Sequence, residues 1–317
     1  MTDPNRFRAS AVPATALAGP CRSGYPSSAP DSWTHDVCGS SREASNYELP
    51  FHPCMHRQAH HTVPRLHLPV APHCNTRCGY CERQVSHKAA SVVAPGVSAA
   101  VLSPLEAIDK TRGFLRRWGK KAVIGIAGPG EPLANEQTFE TLNLVRKEYP
   151  GITLCLCTNG LNLPDRCEDL RALRVQHLSV TINGFDPSIV AQIQPTVTKD
   201  GRVYVGRPAA EILIRNQEAG VQSAVEAGMF IKVNYVVIPE INGAHIIDTA
   251  RKVREFGAGV FNPIPLIPRG RFRNMRKPDE RYMDRLRRLC SKILPVFGHC
   301  KQCRADAEGI PGKEQAR

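Results

Sequence analysis

Cys74, Cys78 and Cys81 stand in the run His73-Cys74-Asn75-Thr76-Arg77-Cys78-Gly79-Tyr80-Cys81, a C-x3-C-x2-C arrangement. Thiolates are soft ligands suited to iron–sulfur clusters, and three from one short loop can hold three irons of a cubic [4Fe–4S] cluster. With no fourth cysteine close by, the fourth iron stays open and can chelate a small molecule. Tyr80 adds an aromatic ring at the cluster's edge. The plainer reading is a zinc site or three unrelated thiols, because the chain has 12 cysteines. The fixed register of the three argues against it.

Three other stretches have chemistry in their residue types. FHPCMHRQAHH packs His52, Cys54, His56, His60 and His61 into eleven residues, a density of soft and borderline ligands unusual outside metal sites. It fits no standard zinc-finger spacing. Gly298–Asp306 reads GHCKQCRAD, with Cys300 and Cys303 as a C-x2-C pair that binds metal or cycles redox state. A redox pair would precede a helix after an early strand, and this one lies in the tail. Gly128-Pro129-Gly130-Glu131-Pro132 is a turn whose glycines permit close backbone approach.

The elements that must position these residues alternate in type. Expected strands are 65–70, 123–127, 152–157, 177–183, 231–238 and 260–267, the last interrupted by Pro263 and Pro265. Expected helices are 103–118, opened by the capping box Ser103-Pro104-Leu105-Glu106, then 135–149, 208–227, 244–256 and a basic helix 279–296. Phe139, Leu142, Val145 and Tyr149 recur at helical spacing and read as core. Strand–helix alternation with short turns predicts a parallel sheet with helices outside. Six such units do not close an eight-stranded barrel. The fold class is therefore α/β, a partial (β/α)6 TIM-type barrel. Ligands of parallel sheets bind at the carboxyl ends of strands, where both the cysteine loop and the Gly128 turn fall.

Residues 1–48, rich in Pro, Ala, Ser and Gly without periodicity, read as a disordered leader in which Cys21 and Cys38 are incidental. Residues 49–297 read as the core with a Cys/His extension at its start, and 298–317 as a cluster-binding tail. Hydrophobic residues make up 42%, enough for a globular core, and no apolar run is long enough to span a membrane. No secretory h-region is present, which points to a reducing cytoplasm and to cysteines that bind metal rather than pair. The net charge of +13 suits an acidic partner or anionic clusters, or simply a solvated helix face. No aromatic-interleaved motif accompanies it, so nucleic acid is not the expected partner.

C-x3-C-x-aromatic-C resembles the signature loop of the radical S-adenosylmethionine (SAM) enzymes, and the Gly128–Glu131 turn resembles their glycine–glycine–glutamate motif. In that family the open iron binds the amino and carboxylate groups of SAM, and one electron cleaves it to methionine and a 5′-deoxyadenosyl radical. HPC at His52–Cys54, LHLPVAPHCNTRCGYC, GIAGPGEPLAN, LCLCTNG and HCKQCRAD occur in the order seen in the NifB family of nitrogenase-cofactor maturases. That resemblance implies that two [4Fe–4S] substrate clusters are fused into an eight-iron core with a central carbide. One SAM supplies the carbon as a methyl group and a second supplies the radical that removes hydrogen from it. It assigns the SAM cluster to Cys74, Cys78 and Cys81, and SAM contacts to Tyr80, Gly128, Thr181 and Val233. Cys54, Cys155, Cys300 and Cys303 match the cysteines associated with the substrate clusters. Implied partners are an iron–sulfur donor, a cofactor carrier protein and an electron donor.

Cys157, Cys167 and Cys290 have no counterpart in the resemblance and read as ordinary thiols. The family's cysteine six residues after the third cluster cysteine is here His87, which could ligate iron in its place. The glutamate and arginine of the following family stretch are also missing. Two alternatives therefore stand beside cluster assembly: a diverged radical SAM enzyme acting on a small molecule or peptide, and a non-catalytic iron–sulfur carrier.

Overall fold

Apolar and polar or thiol residues alternate along the strand at 153–158 of the computed structural model, which describes residues 49–89 and 92–313. The expected leader 1–48, with Cys21 and Cys38, lies outside the described residues. The first elements are α1 (Arg57–Thr62), β1 (Arg65–His67), β2 (Thr76–Arg77), β3 (Gln84–Val85) and β4 (Val97–Ser98). Then come α2 (Pro104–Trp118), β5 (Val123–Ile126), α3 (Glu136–Glu148), β6 (Thr153–Thr158), α4 (Leu163–Ala172) and β7 (His177–Thr181). An insertion of α5 (Pro187–Ile193), β8 (Thr196–Lys199) and β9 (Arg202–Val205) precedes α6 (Arg207–Glu226). The chain closes with β10 (Phe230–Val237), α7 (Ile246–Glu255), β11 (Val260–Pro265), α8 (Glu280–Cys290) and β12 (Glu308–Gly309).

The main sheet runs β11-β10-β7-β6-β5-β1-β12. Its pairings are parallel from β1 through β11, and β12 joins β1 antiparallel. Six parallel strands in chain order, with helices between them, form the expected curled partial barrel. Leu66, Ile124, Leu154, Leu156, Leu178, Val180, Ile231 and Val233 face outward, in one core cluster with residues of α2, α3, α4, α6 and α7. The opposite face of the same strands is largely polar.

Register sets that inner face out in rows. His67, Gly125, Cys155 and His177 lie side by side across four strands. Cys157, Ser179 and Lys232 form the next row. Thr181, Asn234 and Asn262 form the third, with Asn262 Nδ2 donating to Asn234 Oδ1 at 2.8 Å. A full barrel packs such layers with apolar side chains; here they bear thiols, imidazoles, amides and an ammonium.

Several expectations shift in detail. The Ser103 capping box forms as expected, Ser103 N donating to Glu106 Oε2 at 2.7 Å. The last helix ends at Cys290, not 296, because Pro295 restricts the residue before it and cannot donate a helical bond. Pro263 and Pro265 do not interrupt β11, since that edge is completed from outside by Phe297 N, which donates to Phe261 O at 2.9 Å. The loop expected over 92–98 ends in β4, which pairs with β3. The helices α1, α4 and α5 and the β8–β9 hairpin escaped the periodicity reading. The hairpin turn carried its own signal: Asp200 and Gly201 both take the left-handed conformation that an Asp-Gly pair favours.

The tail is bound into the barrel. Val296 bridges to Phe261 of β11, and Gln302 Nε2 donates to Pro265 O at 2.9 Å. Ala305 N donates to Val97 O at 2.9 Å, and β12 then pairs with β1. Residues 296–309 therefore cross from one edge strand of the half-barrel to the other. Ala59 and Val63, in and just beyond α1, pack on Val123 beside Cys155. Both ends of this unit thus bear on the strands' inner face.

Candidate iron–sulfur and SAM site

The cysteine loop is held by the chain's two strand-end turns. Gly130 N donates to Ala71 O at 2.6 Å and Glu131 N to His73 O at 2.7 Å, so the Gly128 turn lies directly against the entry to the loop. A Cβ at Gly130 would fall 2.1 Å from His73 O, which only glycine avoids. Asn135 clamps His73 on both sides, accepting from its N–H at 3.1 Å and donating to its carbonyl at 3.0 Å. This explains why Asn135 precedes α3 without capping it.

Glu131 links the loop to β6. Its carboxylate accepts from Thr158 Oγ1 at 2.5 Å, Asn159 N at 2.7 Å and Leu133 N at 3.1 Å. Burial pushes its pKa up to about 7, against the pull of those donors. Both oxygens are engaged, so a bound amino group would meet the turn's backbone rather than this carboxylate. Asn159 Nδ2 donates onward to Asn75 Oδ1 at 2.7 Å and Thr76 Oγ1 at 3.2 Å. The Thr76 hydroxyl sits 3.7 Å from both Cys74 Sγ and Cys78 Sγ. Burial pushes the Cys78 thiol up to about 12, reinforced by Cys81 and Cys74, which face it.

The far side of the loop rests on the insertion and on residues 270–272. Gly79 N donates to Ile193 O at 2.7 Å, and Phe272 N donates to Gly79 O at 3.0 Å. The Tyr80 hydroxyl accepts from Asn183 Nδ2 at 3.1 Å, and its ring packs with Ile189, Ile193 and Phe272. Gly128 has φ 126°, at the carboxyl end of β5. Thr181 faces inward at the end of β7, its carbonyl accepting from Gln217 Nε2 at 2.9 Å. Val233 does not join these residues. Strand parity buries it in the outward core, and its neighbours Lys232 and Asn234 have the inward side chains.

Deeper in the barrel a second group gathers from separated segments. Cys54 of the N-terminal extension lies within electrostatic reach of Lys232, Cys157, Cys300 and Arg65. Cys155 Sγ lies over Gly125, where an added Cβ would be 2.8 Å from it and 3.4 Å from the His67 ring. Arg65 Nη2 donates to Cys303 Sγ at 3.2 Å, and Arg65 Nη1 to Gly309 O at 2.8 Å. His67 Nδ1 lies 3.0 Å from Arg304 O; burial and then Arg65 hold its pKa down to about 3. The tail pair, the extension and the strands thus meet at the inner face. Sequence reading singled out Cys54, Cys300 and Cys303 as candidate ligands by residue type and spacing, and Cys155 only through the resemblance. It missed Cys157, Lys232, Arg65 and His67, whose signal was inward parity on strands already foreseen.

Other expected ligands lie elsewhere. His87 is exposed in a single 3-10 turn (His87–Ala89). The histidines of the extension divide their work: His56 Nδ1 accepts from Ala59 N as the cap of α1, and His60 and His61 stack with His299. His52 enters the barrel, its ring 4.8 Å from that of His177. Cys167 and Cys290 sit in the outward core, as ordinary thiols.

The donor set fits iron-bound thiolates on two observations. Lys232 is 3 % exposed, and no carboxylate pairs with it among the described residues; Cys54, Cys300, Cys157 and Cys155 face it and hold its pKa above the ordinary value against the effect of burial. A buried ammonium demands counter-charge, and among the described residues these cysteines would supply it as iron-bound thiolates. His52 Nε2 is also buried without a hydrogen-bond partner. Among the described residues no three His, Cys, Asp or Glu side chains close around a single ion. A cube offers its irons at separate corners and so takes thiolates set wider apart.

A three-thiol loop at the carboxyl ends of a six-stranded partial barrel defines a class. The chain belongs to the radical SAM superfamily, whose profile matches residues 68–253. Within it the chain belongs to the NifB family. It is 40% identical over 262 residues to the FeMo cofactor biosynthesis protein NifB of Methanocaldococcus infernus, covering 83% of this chain and 86% of that one. It is 42% identical over 273 residues to the protein of that name from Klebsiella pneumoniae, covering 84% of this chain and 58% of that one. The chain thus spans about three fifths of the Klebsiella protein's length. The fold is shared with a radical SAM methyltransferase from Sphaerobacter thermophilus (TM-score 0.50, 19% identity, 80% of this chain and 70% of that one). It is shared as well with the FeFe-hydrogenase maturase HydG from Carboxydothermus hydrogenoformans (TM-score 0.51, 18% identity, 76% and 54%).

Proposed function

We propose that this chain builds the carbide-containing eight-iron precursor of the nitrogenase cofactor, by SAM-dependent methyl transfer and radical hydrogen abstraction on paired [4Fe–4S] substrate clusters. One observation bears the proposal: thiols from the extension, β6 and the tail face one buried ammonium behind the SAM-type loop. A small-molecule substrate has no use for so many soft donors. Cys74, Cys78 and Cys81 would hold the resident [4Fe–4S] cluster, which would supply the electron that cleaves SAM to the radical. The chain's own residues orient and enclose. The Glu131–Thr158–Asn159 network fixes the loop, and the Gly128 turn leaves backbone bare for SAM. Tyr80, held by Asn183, stands beside the third cysteine. Cys54, Cys155, Cys300 and Cys303 grip the substrate clusters, and Lys232 and Arg65 balance their charge. An iron–sulfur donor, a carrier protein for the product and an electron donor complete the reading, which sets the reaction in the cytoplasm. No helix among the described residues is long and apolar enough to cross a membrane.

The test is anaerobic reconstitution with iron counted per chain, then SAM addition. The wild type should hold iron beyond the SAM cluster and form both 5′-deoxyadenosine and S-adenosylhomocysteine. Cys300→Ala with Cys303→Ala should lose the extra iron and keep reductive SAM cleavage. Cleavage without extra iron in the wild type would favour a small-molecule or peptide substrate, and no cleavage at all would favour a carrier.

A further inference from the structure

Cys155 and Cys157 lie two residues apart on β6, where burial alternates along the strand, with Leu154 and Leu156 in the outward core and the cysteines on the inner face. Two residues of strand separate them by roughly 6.5 Å. That is far for a single ion and suited to different corners of a multi-iron cluster. Cys157 pairs in register with Ser179, and Ser179 in turn with Lys232. The row therefore sets a thiol, a hydroxyl and an ammonium side by side on one floor. Ser179 stands between Cys157 and Lys232 in that row, its hydroxyl hydrogen-bonded to the thiol, and the Lys232 ammonium and the tail's Cys300 and Cys303 lie within electrostatic reach of Cys157.

We propose that Cys157 is a fifth thiolate ligand of the barrel interior, binding the same substrate cluster as the tail pair Cys300 and Cys303. The inference rests on the cluster-assembly reading above and extends its ligand set. Cys167 and Cys290 show what a merely structural thiol looks like in this chain, for both are enclosed by apolar side chains. Cys157 instead sits on a polar floor, beside a buried ammonium that has no carboxylate among the described residues. Forming the iron–sulfur bond releases the thiol proton to solvent, and the resulting anion supplies the counter-charge that Lys232 lacks. Ser179 contributes a hydroxyl that orients the sulfur.

The experiment reconstitutes the full-length chain anaerobically as wild type, Cys157→Ala, Cys157→Ser and Cys167→Ala. It measures iron per chain, the Mössbauer and electron paramagnetic resonance spectra, and 5′-deoxyadenosine yield. Cys157→Ala should lose up to one cluster, about four irons per chain, with 5′-deoxyadenosine formation retained. Cys157→Ser should regain part of that iron with an altered spectrum, because oxygen ligates iron differently from sulfur. Cys167→Ala should match the wild type. Pulsed alkylation of the wild type, read by mass spectrometry, gives a measure free of folding effects: iron loading should protect Cys157 together with Cys300 and Cys303. Equal iron and superimposable spectra in all four proteins, with Cys157 alkylated alike with and without iron, would overturn the inference and leave the assembly reading standing. A wild type that holds only the SAM cluster would overturn both.

Discussion

Gly130 has no room for any side chain, because the His73 carbonyl occupies the place of its Cβ. Gly130→Ala must push the turn off the cysteine loop. The expected result is a loss of SAM affinity of at least tenfold together with a stability loss of about 3 kcal/mol, read by calorimetry and thermal unfolding. Gly128 differs: its φ of 126° strains an alanine, but the nearest atom to an added Cβ is Gly130 N at 3.3 Å, so Gly128→Ala should cost less. Glu131 gives a pH signature. Its folded pKa of about 7 lies above the ordinary 4.5, so the folded state holds the proton more tightly than the unfolded one. The stability it contributes is therefore full below pH 4.5 and lost as pH rises through 7. The whole effect is worth up to about 3 kcal/mol. His177, held down to about 4 by burial, slopes the opposite way between its folded and unfolded values. The difference between wild type and Glu131→Gln, followed by denaturant unfolding from pH 4.5 to 7, isolates the glutamate. A difference that stays flat across that range would mean its carboxylate is ionised throughout.

At the scale of elements, the tail decides whether the interior is closed. Arg304 Nε donates to Asp306 Oδ1 at 2.7 Å, Asp306 Oδ2 accepts from Ala99 N at 2.7 Å, and Arg304 Nη1 donates to Val92 O at 2.9 Å. These bonds fasten the segment that includes Cys300 and Cys303 across the open side of the half-barrel. Asp306→Ala removes the acceptor of the Ala99 N–H and the carboxylate that Arg304 grips, at a cost of about 1–3 kcal/mol. The expected outcome is faster proteolysis within residues 298–313 and a lower interior iron content, while the Cys74–Cys81 loop keeps its cluster. Iron content equal to wild type would show that β12 and the tail's bonds to β11 and β4 hold it without Asp306. The exposed basic residues of α8 need no partner of their own, since Met283, Leu286 and Cys290 form its buried face and the arginines the opposite one.

For the molecule as a whole, the raised thiols make metal loading a proton-coupled event. Burial lifts Cys54, Cys155, Cys157 and Cys303 above the ordinary thiol, the last to about 11. Iron binds the thiolate, so each bond formed releases a proton. Reconstitution should therefore load more iron at about pH 8.5 than at about pH 6.5 and acidify a weakly buffered solution. Loading that is insensitive to pH would mean the thiols are already ionised in the iron-free protein. The sequence by itself determined the class. The SAM-type ligands sit within eight consecutive residues, and the six strands and five of the helices announce themselves by local periodicity, so both are fixed by short-range chemistry. It also carried the Ser103 cap and the turn at Gly128. Only the tertiary structure decided which residues gather at the proposed second site. Its residues come from the extension, β1, β6, β10 and the tail, and whether a strand residue points in or out depends on which face the helices cover. A shift of one residue exchanges the faces. That parity sends Val233 to the outward core and brings Lys232 and Cys157 inside, because the helices need an apolar surface and the barrel's inner face is left for the residues that bind.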